Sequence, residues 1–162
     1  MSRELVLILS ILSTACAAER PAPTSGAAPG PVQHAITGVF EGHYERAFEL
    51  SRFLPCGGAV IDPDGRRVEV LSAWASFQGD ASEQVRSLPP DRGEEIVARH
   101  ARFHGTLRGP GCYGHMGLAL FQLEVDRIDE LDPTQDPACD HQTLRAELDA
   151  RAADGRPFPC LP

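Results

Sequence analysis

The chain has 162 residues, five cysteines and a formal charge of −8 at pH 7. No stripe of Lys and Arg runs along it, so no nucleic-acid partner is expected, and an anionic membrane surface would not attract it by charge. The acidity speaks chiefly for solubility, and the length suits one folded domain of ordinary size once a leader is set aside.

The N-terminus has the three zones of a secretory signal. Arg3 supplies positive charge, Leu5 to Leu12 is apolar except for Ser10, and Ser13-Thr14-Ala15-Cys16-Ala17-Ala18 is a run of small residues. The apolar run is far short of the roughly 20 residues that span a bilayer as a helix. Residues 1–15 therefore read as a signal peptide. Leu12-Ser13-Thr14-Ala15-Cys16 resembles a lipobox, in which the cysteine is acylated and becomes the new N-terminus, although Ser13 stands where leucine is usual. Membrane attachment is then expected through lipid on Cys16. Ala17 after the cysteine, in place of aspartate, favours the outer membrane, facing the periplasm. Residues 16–31, rich in Pro, Ala, Gly and Ser, lack hydrophobic periodicity and read as a disordered tether. The folded domain is expected over 32–162.

Ile36 to Phe53 alternates apolar and polar residues with a turn expected at Glu41-Gly42-His43, which predicts a hairpin. Ala59 to Ile61 is a short apolar piece, and Asp62-Pro63-Asp64-Gly65 is a strong turn signal. Arg67 to Trp74 alternates again and predicts a third strand. Asp80 to Ser87 could start a short helix, Glu95 to Leu107 predicts a fourth strand, and Leu118 to Leu131 a fifth, with a phase change near Phe121. Asp140 can cap a helix from His141 to about Ala153, in which Leu144 and Leu148 share a face. The expected fold is mostly β: a small five-stranded OB-like barrel with a short C-terminal helix.

Cys56, Cys112, Cys139 and Cys160 are an even set with no CxxC pair, so an oxidising compartment and two disulfides are expected. Three connectivities are open. A weak preference falls on Cys139 with Cys160, which leaves Cys56 with Cys112.

Two blocks carry a family resemblance. Gly38 to Gly57, with its Phe48-Glu49-Leu50-Ser51-Arg52-Phe53-Leu54-Pro55-Cys56 stretch, and Gly105 to Val125, built around Tyr113-Gly114-His115-Met116-Gly117, resemble segments of largely uncharacterised bacterial envelope lipoproteins. These are distantly similar to the C-terminal OB-fold domain of NlpE-type lipoproteins, a type linked to copper tolerance and surface sensing. The copper-associated CxxC of that type is absent. The resemblance implies fold and compartment, and little about activity.

Ser51 lies in no G-x-S-x-G context, no Ser/His/Asp signature presents itself, and no glycine-rich phosphate loop follows a strand. No catalytic residue, no enzyme and no cofactor are expected. Glu41, Glu45, Glu49, Glu124 and Asp126 are expected on the solvated phase of strands. Tyr113 and His115, in a glycine-punctuated loop, are the candidate ligand-binding residues of an interaction module whose partner is another envelope protein or a small ligand. The alternative is a copper or zinc site built from His100, His104 and His115, although His100 and His104 lie about 13 Å apart on an extended strand.

Overall fold

The computed structural model describes residues 34–88, 96–117, 119–132 and 139–153. The expected signal peptide, the tether with Cys16, and Cys160 lie outside the described residues. The described chain is mostly β, with seven strands and two α-helices: β1 His34–Ala47, β2 Leu50–Pro55, β3 Ala59–Ile61, β4 Arg67–Glu69, β5 Ala73–Phe77, α1 Gly79–Ser87, β6 Val97–Gly109, β7 Gln122–Asp132 and α2 His141–Ala153.

Five strands make one sheet in the order β1–β2–β5–β7–β6. All its neighbours are antiparallel except β5 and β7, which run parallel from Trp74 beside Gln122 to Phe77 beside Val125. β6 pairs in turn with β1, from His34 opposite Gly109 to Arg46 opposite Val97. β3 and β4 form a separate two-stranded hairpin around the Asp62–Gly65 turn. There the buried Asp62 carboxylate accepts the Asp64 and Arg66 N–H groups at 2.9 and 2.8 Å. The Arg66 N–H bond, ahead of the other contacts, holds the Asp62 carboxyl below its ordinary pKa.

The core follows from side-chain alternation along curved strands. Ile36, Phe40 and Tyr44 of β1 face Phe53, Ala73, Ala75, Ala101, Phe103, Leu107, Leu123 and Val125. Phe103 is its aromatic hub, with ring centroids 5.5 Å from Phe77, 5.6 Å from Phe53 and 6.0 Å from Tyr44. These separations suit edge-to-face packing. α1 adds Ala81 and Val85 to the same core.

Three expectations are corrected. Gly42 does not turn the chain: β1 runs straight through it, and the turn is Phe48-Glu49. A Cβ on Gly42 would collide with the Leu54 carbonyl and the Phe53 ring, so the glycine permits close strand approach. Arg67 to Trp74 is not one strand. Its first part serves the β3–β4 hairpin, and the chain bends at Leu71-Ser72 before entering the main sheet as β5. β7 starts after Phe121, and its register shifts set Asp126 and Asp129 outside the ladder with β6.

The preferred disulfide pairing is also overturned, because Cys56 is bonded to Cys139. Cys112 is disulfide-bonded as well. The sequence suggested a C-terminal segment clasped on itself. Instead, the bond ties the start of α2 to the end of β2, with Cα atoms 5.2 Å apart.

Candidate functional site

Two places on the domain concentrate chemistry. The first lies at one end of the sheet, where two loops meet. The β1–β2 turn exposes Phe48, which is 82 % solvent-accessible, and holds Glu49 at φ 55°, a left-handed conformation uncommon for a side-chain-bearing residue. The other loop, between β6 and β7, carries Tyr113, Gly114 and His115. It closes on itself through paired backbone bonds between Tyr113 and Ala119, at 2.9 and 3.1 Å. Gly114, with φ 74°, lies flat on the Trp74 ring, so any Cβ there would strike the indole. His115 Nε2 lies 3.4 Å from Glu49 Oε2 and joins this loop to the β1–β2 turn. Trp74, Gly114, His115, Glu49 and Phe48 thus form a linked series, and Trp74 stands opposite Arg52 across the β2–β5 ladder.

The second place is the outer face of β1 beneath α2. Glu45 is fully buried there. Its carboxylate accepts from Arg52 Nε at 2.7 Å, from His141 Nε2 at 2.7 Å and from Arg145 at 3.2 Å. Burial alone would raise the Glu45 pKa, but Arg52, His141 and Arg145 together hold it below the usual carboxylate range. His43, two residues earlier on the same face, donates from Nε2 to the Cys139 carbonyl, since a carbonyl can only accept. Its ring centroid lies 5.1 Å from that of His141 and 5.7 Å from that of His100. Burial lowers the His43 pKa, and the adjacent His141 and His100 add to the shift against the bond to Cys139. Leu54, Cys139 and Leu144 form a small apolar cluster beside this network. α2 itself is capped as its sequence predicts, with the Thr143 N–H donating to Asp140 at 3.1 Å.

The sequence-predicted residues divide between these places. Tyr113 and His115 are brought to the loop surface, His115 half-exposed and Tyr113 partly buried. The three metal candidates are not brought together. His100 lies between Glu41 and Glu130, at 3.6 and 3.5 Å, His104 is 2.8 Å from Asp129, and His115 is paired with Glu49. Among the described residues no group of three or more His, Cys, Asp or Glu side chains is arranged to hold a metal ion. The expected solvation of Glu45 is wrong, because α2 returns over it. The site roles of His43, read as a turn residue, and of His141 were missed; the one signal was the i, i+4 spacing that sets His141 and Arg145 on one helix face. Phe48 and Glu49 were missed because the turn was sought six residues too early.

No protein-family model, curated protein or solved structure matches the chain.

Proposed function

We propose that this chain is a bacterial envelope lipoprotein, tethered by lipid on Cys16 to the outer membrane. Its OB-like domain binds an envelope protein through the joined β1–β2 and β6–β7 loops. The observation that carries this reading is the 3.4 Å contact between His115 and Glu49, which joins the two loops next to the exposed Phe48.

The strand order supports the OB-like assignment. With the five sheet strands renumbered in chain order, the pairing is 1-2-3-5-4-1, with a parallel third–fifth pair and a helix between the third and fourth strands. OB-folds take ligands on the face of their second and third strands and on the loops that join strands one to two and four to five. Here those elements are β2, β5, the Phe48-Glu49 turn and the Tyr113–Gly117 loop. The two blocks that resemble envelope lipoproteins, Gly38 to Gly57 and Gly105 to Val125, include β2 and both of these loops. An exposed aromatic such as Phe48, on a turn joined through Glu49 and His115 to the loop that rests on Trp74, suits a protein-binding anchor. No helix among the described residues is long and apolar enough to cross a membrane, so the proposed attachment rests on the lipid. The metal-binding alternative has less support, since its three histidines lie nearest to different carboxylates.

Chemical cross-linking in intact cells, followed by fractionation, tests both halves. Cys16→Ser is expected to move the protein from membranes to the soluble fraction. Phe48→Ser is expected to leave it on the membrane and remove its specific adduct. A Cys16→Ser protein that stays on membranes, or an unchanged adduct in Phe48→Ser, contradicts the proposal.

A further inference from the structure

β1 is longer than the strand beside it. β6 pairs with it from His34 to Arg46, but β2 covers only Gly42 to Ala47. The two-residue turn makes Ala47 and Leu50 a hydrogen-bonded pair, so odd-numbered residues of β1 point N–H and C=O toward the β2 side. Even-numbered residues point theirs toward β6. Before Gly42 the β2 side is vacated, because the chain coils through Cys56–Gly58 and returns as β3. Ala35, Thr37 and Val39 therefore present backbone donors and acceptors there that meet no backbone partner among the described residues.

A groove of about 280 Å³ runs along this edge, with Pro55, Ala59, Val60 and Ile61 as its far wall. β3 is paired with β4 alone. The rim is apolar, with Val39 46 % and Ile61 61 % exposed, and a Cβ on Gly38 would meet nothing within 4 Å. Glu41 is the single charged residue of the lining.

We propose that this groove is a strand-addition site for an extended segment of a partner protein. The segment pairs its backbone with Ala35, Thr37 and Val39, sets alternate apolar side chains against Val39 and Ile61, and places a Lys or Arg beside Glu41. An unpaired edge asks for another strand, because only an extended backbone meets donors and acceptors at that spacing. The open edge from Ala35 to Val39 is about 14 Å long, enough for a segment of about five residues. The site is separate from the loop surface proposed above and stands without it.

The test uses the exported chain carrying Cys16→Ser and a phage-displayed library of random peptides about nine residues long. The expected winners alternate apolar and polar residues, with a basic residue at one end. Bound as a synthetic peptide, the best of them is expected to slow amide exchange of Thr37 and Val39 by about tenfold or more, and to leave Gly38 and Phe40, already in the β6 ladder, unchanged. Val39→Pro removes one groove-facing N–H without touching the β6 ladder, and Ile61→Lys charges an exposed rim position; each is expected to weaken binding by about tenfold or more. Selected peptides without alternation, or protection elsewhere than Thr37 and Val39, would overturn the proposal. So would Thr37 and Val39 amides already slow in the free chain, the mark of an edge covered by this chain or a second copy. Unaltered peptide affinity in folded Ile61→Lys would overturn it too, even if Val39→Pro failed to fold.

Discussion

His141 Nε2 lies 2.7 Å from Oε1 of Glu45, a residue 96 positions earlier in the chain. This contact, with Arg145 on the next turn of the same helix, holds α2 over a carboxylate that is wholly out of water. Few apolar residues help to hold it there; they are Leu54 and Leu144, with Leu148 beside them, next to the Cys56–Cys139 bond. The helix is therefore fastened mainly by charge and by a covalent link.

Removing the acid should show this. Glu45→Ala leaves Arg52, Arg145 and His141 without their shared partner, and a broken buried ion network costs about 3 kcal/mol or more. Urea unfolding should show a corresponding loss of stability. An unchanged midpoint would mean that the network is not what holds α2.

Stability should fall with acid in two stages. His43 has a folded pKa below its ordinary 6.5, so the unfolded chain takes up that proton first. Its contribution is complete above pH 6.5 and is lost as pH falls from there through the lowered value. Glu45 behaves likewise below its ordinary 4.5, and Asp62 and Asp140 below 3.8. His141 and His100 lie against the His43 ring and oppose its protonation, and Asp140 favours it. Urea midpoints measured between pH 8 and pH 3 should decline in both windows, and His43→Gln should flatten the first. A first-window decline undiminished in His43→Gln would assign it to another group.

The cysteine pairing is open to mass spectrometry. Non-reducing peptide maps should show Cys56 joined to Cys139. If Cys16 is acylated as proposed, the same maps should show Cys112 joined to Cys160. The Cys56–Cys139 bond spans 83 positions, and the chain-entropy picture gives such a link about 4 to 5 kcal/mol. Cys56→Ser with Cys139→Ser should lower the thermal midpoint accordingly. A map with Cys139 joined to Cys160 would contradict the structure.

Much of this domain was legible as pattern, and its failures have physical causes. The strand at Glu95–Leu107, the α1 segment and the capped helix after Asp140 depend on local alternation, capping and turn chemistry, which a sequence displays. β6, α1 and α2 lie within two residues of the expected spans. Gly42 misled because a glycine that permits close strand approach and one that turns the chain look alike in one sequence. Glu45 misled because alternation assigns a face but not what covers it; the cover arrives from α2, almost a hundred residues later. The Cys56–Cys139 bond was hidden for the same reason. Tyr113 and His115 were singled out because glycine-punctuated loops stand out, whereas Phe48 and Glu49 depended on placing the turn correctly.

The loop geometry makes its own prediction. Gly114→Ala strains a φ of 74° and drives a methyl into Trp74. The loop should be displaced and adduct formation through the Phe48 surface weakened by about tenfold, with a loss of stability of only about 1 to 2 kcal/mol. Fluorescence of the single tryptophan, Trp74, reports the displacement directly. An unaltered emission spectrum would show that Gly114 does not rest on the indole.

The most direct test of the joined loops as the binding surface is site-specific photo-cross-linking in intact cells. A photoreactive residue is placed at position 48, at position 115, or at Arg86 on the exposed side of α1. The account predicts one discrete adduct of the same mass from positions 48 and 115, and none from position 86. Adducts equal at all three positions, or absent from 48 and 115, would contradict it.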